Sequence, residues 1–80
     1  MKISYDPQHN IAYICFRDAS EEVETIHVSD EIKVDVAADG KVYGIELLNA
    51  NEQLQIVKDG AFTFTDESTG KTVKLPVGVK

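Results

Sequence analysis

EIKVDVAADGKVYGIELL, residues 31–48, alternates apolar and polar side chains on either side of an Asp39-Gly40 pair. A period of two is the mark of a half-buried strand. Asp-Gly between two such runs is a strong hairpin signal. A two-residue turn, with positive φ at both Asp39 and Gly40, pairs Ile32 with Leu47, Val34 with Ile45 and Val36 with Tyr43. It sets Lys33 opposite Glu46 on the other face. Sliding the register by one residue would mix apolar and charged groups on one face. A four-residue loop preserves the same faces, so the hairpin is better defined than its turn.

Upstream, KISY (residues 2–5) reads as a strand. Asp6-Pro7-Gln8-His9-Asn10 reads as a turn, with proline at its first corner and an asparagine that tolerates the left-handed conformation at its end. With a Pro7–Asn10 loop, Asp6 faces Ile11, Tyr5 faces Ala12 and Ile3 faces Ile14. The next strand, IAYICFR (11–17), is apolar on both faces. Ala12, Ile14 and Phe16 join Met1, Ile3 and Tyr5 on one side. Ile11, Tyr13 and Cys15 point the other way. A strand apolar on both sides is normally covered on both sides. The expected cover for Ile11, Tyr13 and Cys15 is the helix, the C-terminal hairpin or a second subunit, which makes these residues the candidate interface.

VETIHV (23–28) alternates less cleanly, with Ile26 and Val28 as its inward residues. After Leu48 the period changes. Asn49 stands three residues before Glu52, the spacing of a capping box, and Asn51 is an alternative cap. The predicted helix runs from about 51 to 58, with Leu54 and Val57 on one side and Gly60 to stop it. Residues 61–75 read as a second hairpin with a loose turn from Asp66 to Gly70. Pro76 marks an edge or an end. The expected core is Ile3, Tyr5, Ile14, Phe16, Ile26, Val28, Ile32, Val34, Val36, Tyr43, Ile45, Leu47, Leu54 and Val57.

These elements predict a mainly β or α+β fold: an antiparallel β-meander of about five strands, one short helix and a C-terminal hairpin. Eighty residues make a single domain, 1–80, with marginal burial at this size. No linker, repeat or low-complexity segment divides it.

Composition removes several classes of function. The net charge is −6 and the sequence pI about 4.7. Lys2, Arg17, Lys33 and Lys41 are scattered, so no basic stripe exists for nucleic-acid phosphates. Cys15 is the only cysteine; no internal disulfide can form, which suits a reducing cytoplasm. No apolar run is long enough for a signal peptide or a membrane span. The expected protein is cytoplasmic, with no membrane or nucleic-acid partner.

Motifs for chemistry are sparse. His9 and His27 have no second ligand at a metal-binding spacing, and a metal site needs several converging ligands. Cys15 lies between Ile14 and Phe16, with no base placed by sequence to activate it. The glycines are dispersed and form no phosphate-cradling loop. Gly44, inside a strand, signals a bulge or a close backbone approach. Asp30, Asp35 and Glu46 are the alternative acidic site, since paired carboxylates serve acid–base catalysis or hold a hard cation. That alternative requires a concave pocket where at least two of them converge. SEEVE (20–24) reads as a solvated, edge-protecting run. No catalytic residue, metal or cofactor is expected.

One wider pattern remains. Tyr5-Asp6, the Ala12-Tyr13-Ile14 strand, Asp35, Asp39-Gly40 and Gly44-Ile45-Glu46-Leu47-Leu48-Asn49-Ala50 occur in this order over residues 1–54. The pattern resembles the small bacterial family catalogued as domain of unknown function 2283. The residues from Ala61 onward lie outside it. The resemblance implies a compact sheet-rich domain with a short helix and no assigned reaction. Toxin-like domains found beside some members imply an antitoxin-like or other partner-binding role, and an acidic module could neutralise a small basic partner. The function expected first is a non-enzymatic interaction module that self-associates. An antitoxin-like partner of a basic toxin, and a small enzyme or ligand binder using surface carboxylates, are the alternatives.

Overall fold

A computed structural model describes residues 1–18, 22–55 and 61–76. Its elements are β1 (Lys2–Asp6), β2 (Ile11–Cys15), β3 (Val23–His27), β4 (Ile32–Ala37), β5 (Val42–Leu48), α1 (Ala50–Gln53), β6 (Ala61–Asp66) and β7 (Lys71–Pro76). The first five strands form one antiparallel sheet, and β6 and β7 form a separate hairpin. This is the mainly antiparallel fold that the alternation predicts.

The strand order is β1-β2-β5-β4-β3, which corrects the simple meander. After β2 the chain crosses to the far edge, and β3, β4 and β5 fold back so that β5 lies against β2. Strand composition accounts for the arrangement. VETIH, with Glu24, Thr25 and His27, goes to an edge where water meets both side chains and backbone. IAYIC and VYGIELL take inner positions, as suits strands rich in apolar residues.

The β1–β2 register is the expected one, with Asp6 opposite Ile11, Tyr5 opposite Ala12 and Ile3 opposite Ile14. Asn10 ends the turn in the left-handed region, at φ 57°. Asp6 Oδ1 accepts the backbone N–H of Gln8 at 3.0 Å, so the side chain shapes its own turn. In the β4–β5 hairpin, Ile32 meets Leu47, Lys33 meets Glu46 and Val34 meets Ile45, as expected. The register then shifts after Asp35, and Val36 pairs with Val42 instead of Tyr43. Only Gly40 takes a positive φ, at 93°. Its N–H closes the turn onto Ala37 O at 2.9 Å. One glycine in the left-handed position, followed by a shifted register, replaces the two-residue turn with a longer one of the bulged kind.

The helix is shorter than predicted. It spans Ala50–Gln53, and Gln55 at φ 52° turns the chain away from helical geometry. Val57, Gly60 and the predicted end of the helix lie outside the described residues. The capping box does not form as such. Asn49 is itself left-handed, at φ 54°, and its side chain makes no capping bond to the helix backbone. In β6–β7, Phe62 pairs with Leu75 and Phe64 with Val73. The turn closes by Gly70 N–H to Asp66 O at 2.7 Å.

The core departs most from expectation. Among the described residues only Ala12, Ala37, Tyr43 and Ala50 are buried hydrophobic residues, and no large side chain is fully buried. Of the predicted core, Ile3 is 36% exposed, Phe16 41%, Ile26 45% and Val28 61%. The reason lies in the layering. A single sheet buries an apolar face only against a second layer, and α1, four residues long, lies against β2 and β5.

Candidate functional site

Side chains alternate across a sheet, so residues aligned by register form rows on one face. Ile3, Ile14, Ile45, Val34 and Ile26 are paired in sequence across all five strands. They form one aliphatic row from edge to edge. The neighbouring row on the same face holds Tyr5, Ala12, Leu47 and Ile32. The opposite face is of another character. There Ser4, Tyr13, Glu46, Lys33 and His27 are aligned, and beside them Lys2, Cys15, Gly44, Asp35 and Thr25.

Ile11, Tyr13 and Cys15 therefore stand on the mixed polar face, each partly exposed. Tyr13 is held there by two features. Its ring lies across Gly44: a Cβ at that position would fall well inside contact distance of the phenol. Its hydroxyl donates to Asp35 Oδ2 at 2.7 Å. Thr25 Oγ1 donates to the other oxygen, Asp35 Oδ1, at 2.7 Å. Asp35 thus ties β2 to β3 across the intervening strands. Burial pushes the Tyr13 phenol up to about 12, with the hydrogen bond to Asp35 as the second cause. Cys15 Sγ donates to Arg17 O at 3.3 Å. The Arg17 guanidinium lies 5.6 Å from the centre of the Tyr43 ring, a cation–π distance.

Of the acidic alternative, two members share one face of the sheet. Asp35 and Glu46 are diagonal neighbours on β4 and β5, and Asp35 is engaged by Tyr13 and Thr25. Asp30 is exposed on the turn between β3 and β4. A groove of about 450 Å³ runs beside Lys2, Ile3, Ser4, Tyr13 and Cys15. It is lined by no carboxylate and so offers no acid–base pair. His9 Nδ1 meets Asp6 Oδ2 at 2.8 Å in the exposed first turn, and His27 lies opposite Lys33. Among the described residues no group of three or more His, Cys, Asp or Glu side chains could hold a metal ion.

Sequence reasoning missed a polar cluster at the other end of the sheet. Asn10 O accepts the Ala50 N–H at 3.0 Å, and Asn10 Oδ1 accepts the Asn51 N–H at 2.8 Å. The Asn10 amide donates to Asn51 Oδ1 at 2.9 Å. Asn49 Nδ2 donates to Glu31 at 3.2 Å and also to Glu52. Gln53 Nε2 donates to the Leu48 and Glu31 carbonyls at 2.6 and 3.1 Å. The two Asn10 bonds satisfy the Ala50 and Asn51 N–H groups, helix-start donors that have no partner within the helix. The one signal for them in the sequence is the asparagine at the end of the first turn, and that reports backbone conformation and not a distant bond.

A family described as "Protein of unknown function (DUF2283)" has a model that matches residues 2–51. The match spans β1 to β5 and enters α1, and leaves β6 and β7 outside. No curated protein and no solved structure matches the chain. No helix among the described residues is long and apolar enough to cross a membrane.

Proposed function

The chain belongs to the DUF2283 family, and on that footing we propose that it is a non-enzymatic interaction module that associates with a second copy of itself. The observation that carries this reading is the unfilled core. A five-stranded sheet with an aliphatic row from edge to edge leaves its large side chains incompletely buried. Apolar side chains exposed at both edges of the row, Ile3 and Ile26, support an interaction role. The lone Cys15 fits a module working in the reducing cytoplasm.

Sedimentation over a wide concentration range tests the reading. A mass of twice the chain, falling to one chain on dilution, is expected. A single-chain mass at every concentration would overturn it.

A further inference from the structure

From the closed turn between β4 and β5 we infer that Asp39-Gly40 is a latent site of spontaneous isoaspartate formation, held in check by the hydrogen bond that Gly40 makes to Ala37. The inference is independent of self-association and concerns a covalent change within this chain.

The chemistry is intrinsic to the pair. The backbone nitrogen of Gly40 attacks Cγ of Asp39, and a C–N bond forms. The amide proton and the carboxyl hydroxyl leave together as water, which closes a five-membered succinimide. Water then adds back. Where it opens the ring at the backbone carbonyl of Asp39, the main chain is rerouted through the side-chain carbons as isoaspartate. No oxidant, reductant or second reactant is needed. A side chain on the attacking residue would crowd its nitrogen, so glycine is the most permissive second residue. The chain holds two such pairs, Asp39-Gly40 and Asp59-Gly60. The second lies outside the described residues.

Hydrogen bonding is what restrains the first pair. Gly40 N–H donates to Ala37 O at 2.9 Å, and Ala37 N–H donates to Lys41 O at 2.9 Å. The attacking nitrogen must lose its proton, and that proton is held in the bond that closes the turn. Asp39 Oδ1 accepts the Lys41 N–H at 3.0 Å, and Oδ2 lies 3.5 Å from Lys41 Nζ. Both contacts favour the ionised carboxylate, which is the poorer electrophile. The carboxyl is accordingly held below its usual 3.8, first by the Lys41 backbone N–H.

Steric cover adds nothing to this restraint. Residues 38–41 are exposed, and a Cβ built on Gly40 would meet no atom within 4 Å beyond its chain neighbours. The protection therefore lasts only while the turn is closed, and reaction passes through the fraction of molecules in which it has opened. The product does not fit the closed turn. Isoaspartate adds a backbone carbon between Ala37 and Lys41, and the two bonds that close the turn are set for a chain without it.

Peptide mapping with electron-transfer fragmentation, which tells the two isomers apart, tests this on the full chain. The protein is aged at neutral pH, folded in buffer and unfolded in urea. Isoaspartate at residue 39 is expected to accumulate at least about tenfold more slowly in the folded chain. Asp39→Asn separates the two restraints. In that variant ring closure expels ammonia and needs no neutral carboxyl, whereas Gly40 keeps its bond to Ala37. Its folded chain is also expected to react about tenfold or more slowly than its unfolded one. Circular dichroism confirms the state of each sample. Equal rates in folded and unfolded wild-type protein, or in folded and unfolded Asp39→Asn, would overturn the inference. So would an unfolded chain that forms no isoaspartate at residue 39.

Discussion

Asn10 Oδ1 accepts the backbone N–H of Asn51 at 2.8 Å, across 41 positions of sequence. The end of the first hairpin turn thereby caps the only helix among the described residues. Asn10 does so from a left-handed backbone, at φ 57°, which an ordinary L-residue adopts at a cost. Asn10→Ala therefore loses both the bonds and the conformational tolerance. It is expected to cost about 2 kcal/mol in urea unfolding. Asn10→Gly keeps the backbone freedom and loses only the side-chain bonds, so its expected cost is about 1 kcal/mol. Equal losses for the two variants would show that the cap, and not the φ angle, carries the whole effect.

Gly44 is glycine because the Tyr13 ring occupies the space above it. Gly44→Ala is expected to displace the ring, release its bond to Asp35 and cost about 1–3 kcal/mol. With Tyr13→Ala already present, the obstruction is gone. Gly44→Ala should then stabilise the strand by about 0.5–1 kcal/mol, the ordinary gain of alanine over glycine. A double-mutant cycle by chemical denaturation measures the coupling. Additive effects would refute the packing relationship.

The Tyr13 phenol is raised to about 12, by burial first and the Asp35 hydrogen bond second. Its folded value lies above the unfolded value of about 10. The stability this contributes is fully present below pH 10 and is lost as pH rises from there through 12. The ring is partly exposed, so solvent screening holds the expected loss to the order of 1 kcal/mol. Alkaline absorbance titration should show one tyrosine ionising well after an ordinary one. In Tyr13→Phe that late step should vanish, together with the fall in stability between pH 10 and 12.

Asp6 is held below its usual 3.8, chiefly by the hydrogen bond with His9, with the backbone N–H groups of Gln8 and His9 adding to it. A lowered carboxyl contributes stability above its unfolded value, and this is lost as pH falls through the folded value. Carbon-detected NMR titration should find Asp6 ionising at lower pH than an exposed aspartate. In His9→Ala it should move up towards 3.8, with part of the depression kept by the backbone donors. An unchanged midpoint in His9→Ala would show that the turn backbone alone lowers it.

Much of the sheet was legible in the chain. Ile3 opposite Ile14, Tyr5 opposite Ala12, Val34 opposite Ile45 and Lys33 opposite Glu46 follow from alternation and a nearby turn, because a hairpin's partners are close in sequence and a one-residue slip would reverse every side chain. Gly44 was legible as either a bulge or a close approach, and the ring of Tyr13 is the close approach. The strand order was not legible. The pairing of β2 with β5 joins segments about thirty residues apart, and alternation looks the same whichever edges meet. The Ala37–Gly40 turn differs from the expected one because Asp-Gly is compatible with more than one turn type, and the choice follows the bulge after Asp35.

The amino-acid order thus determined which residues are strands, the register of β1–β2 and of β4–β5 up to Asp35, and which side chains share a face there. All of these follow from local backbone geometry and a period of two. The tertiary structure alone decided that VETIH would lie at an edge, that Asn10 would cap a helix from afar, that Tyr13 would reach Asp35 over Gly44, and that aliphatic pairs from three hairpins would line up into a single row. Each of these depends on which strand edges meet in space, and a one-dimensional pattern does not encode that choice.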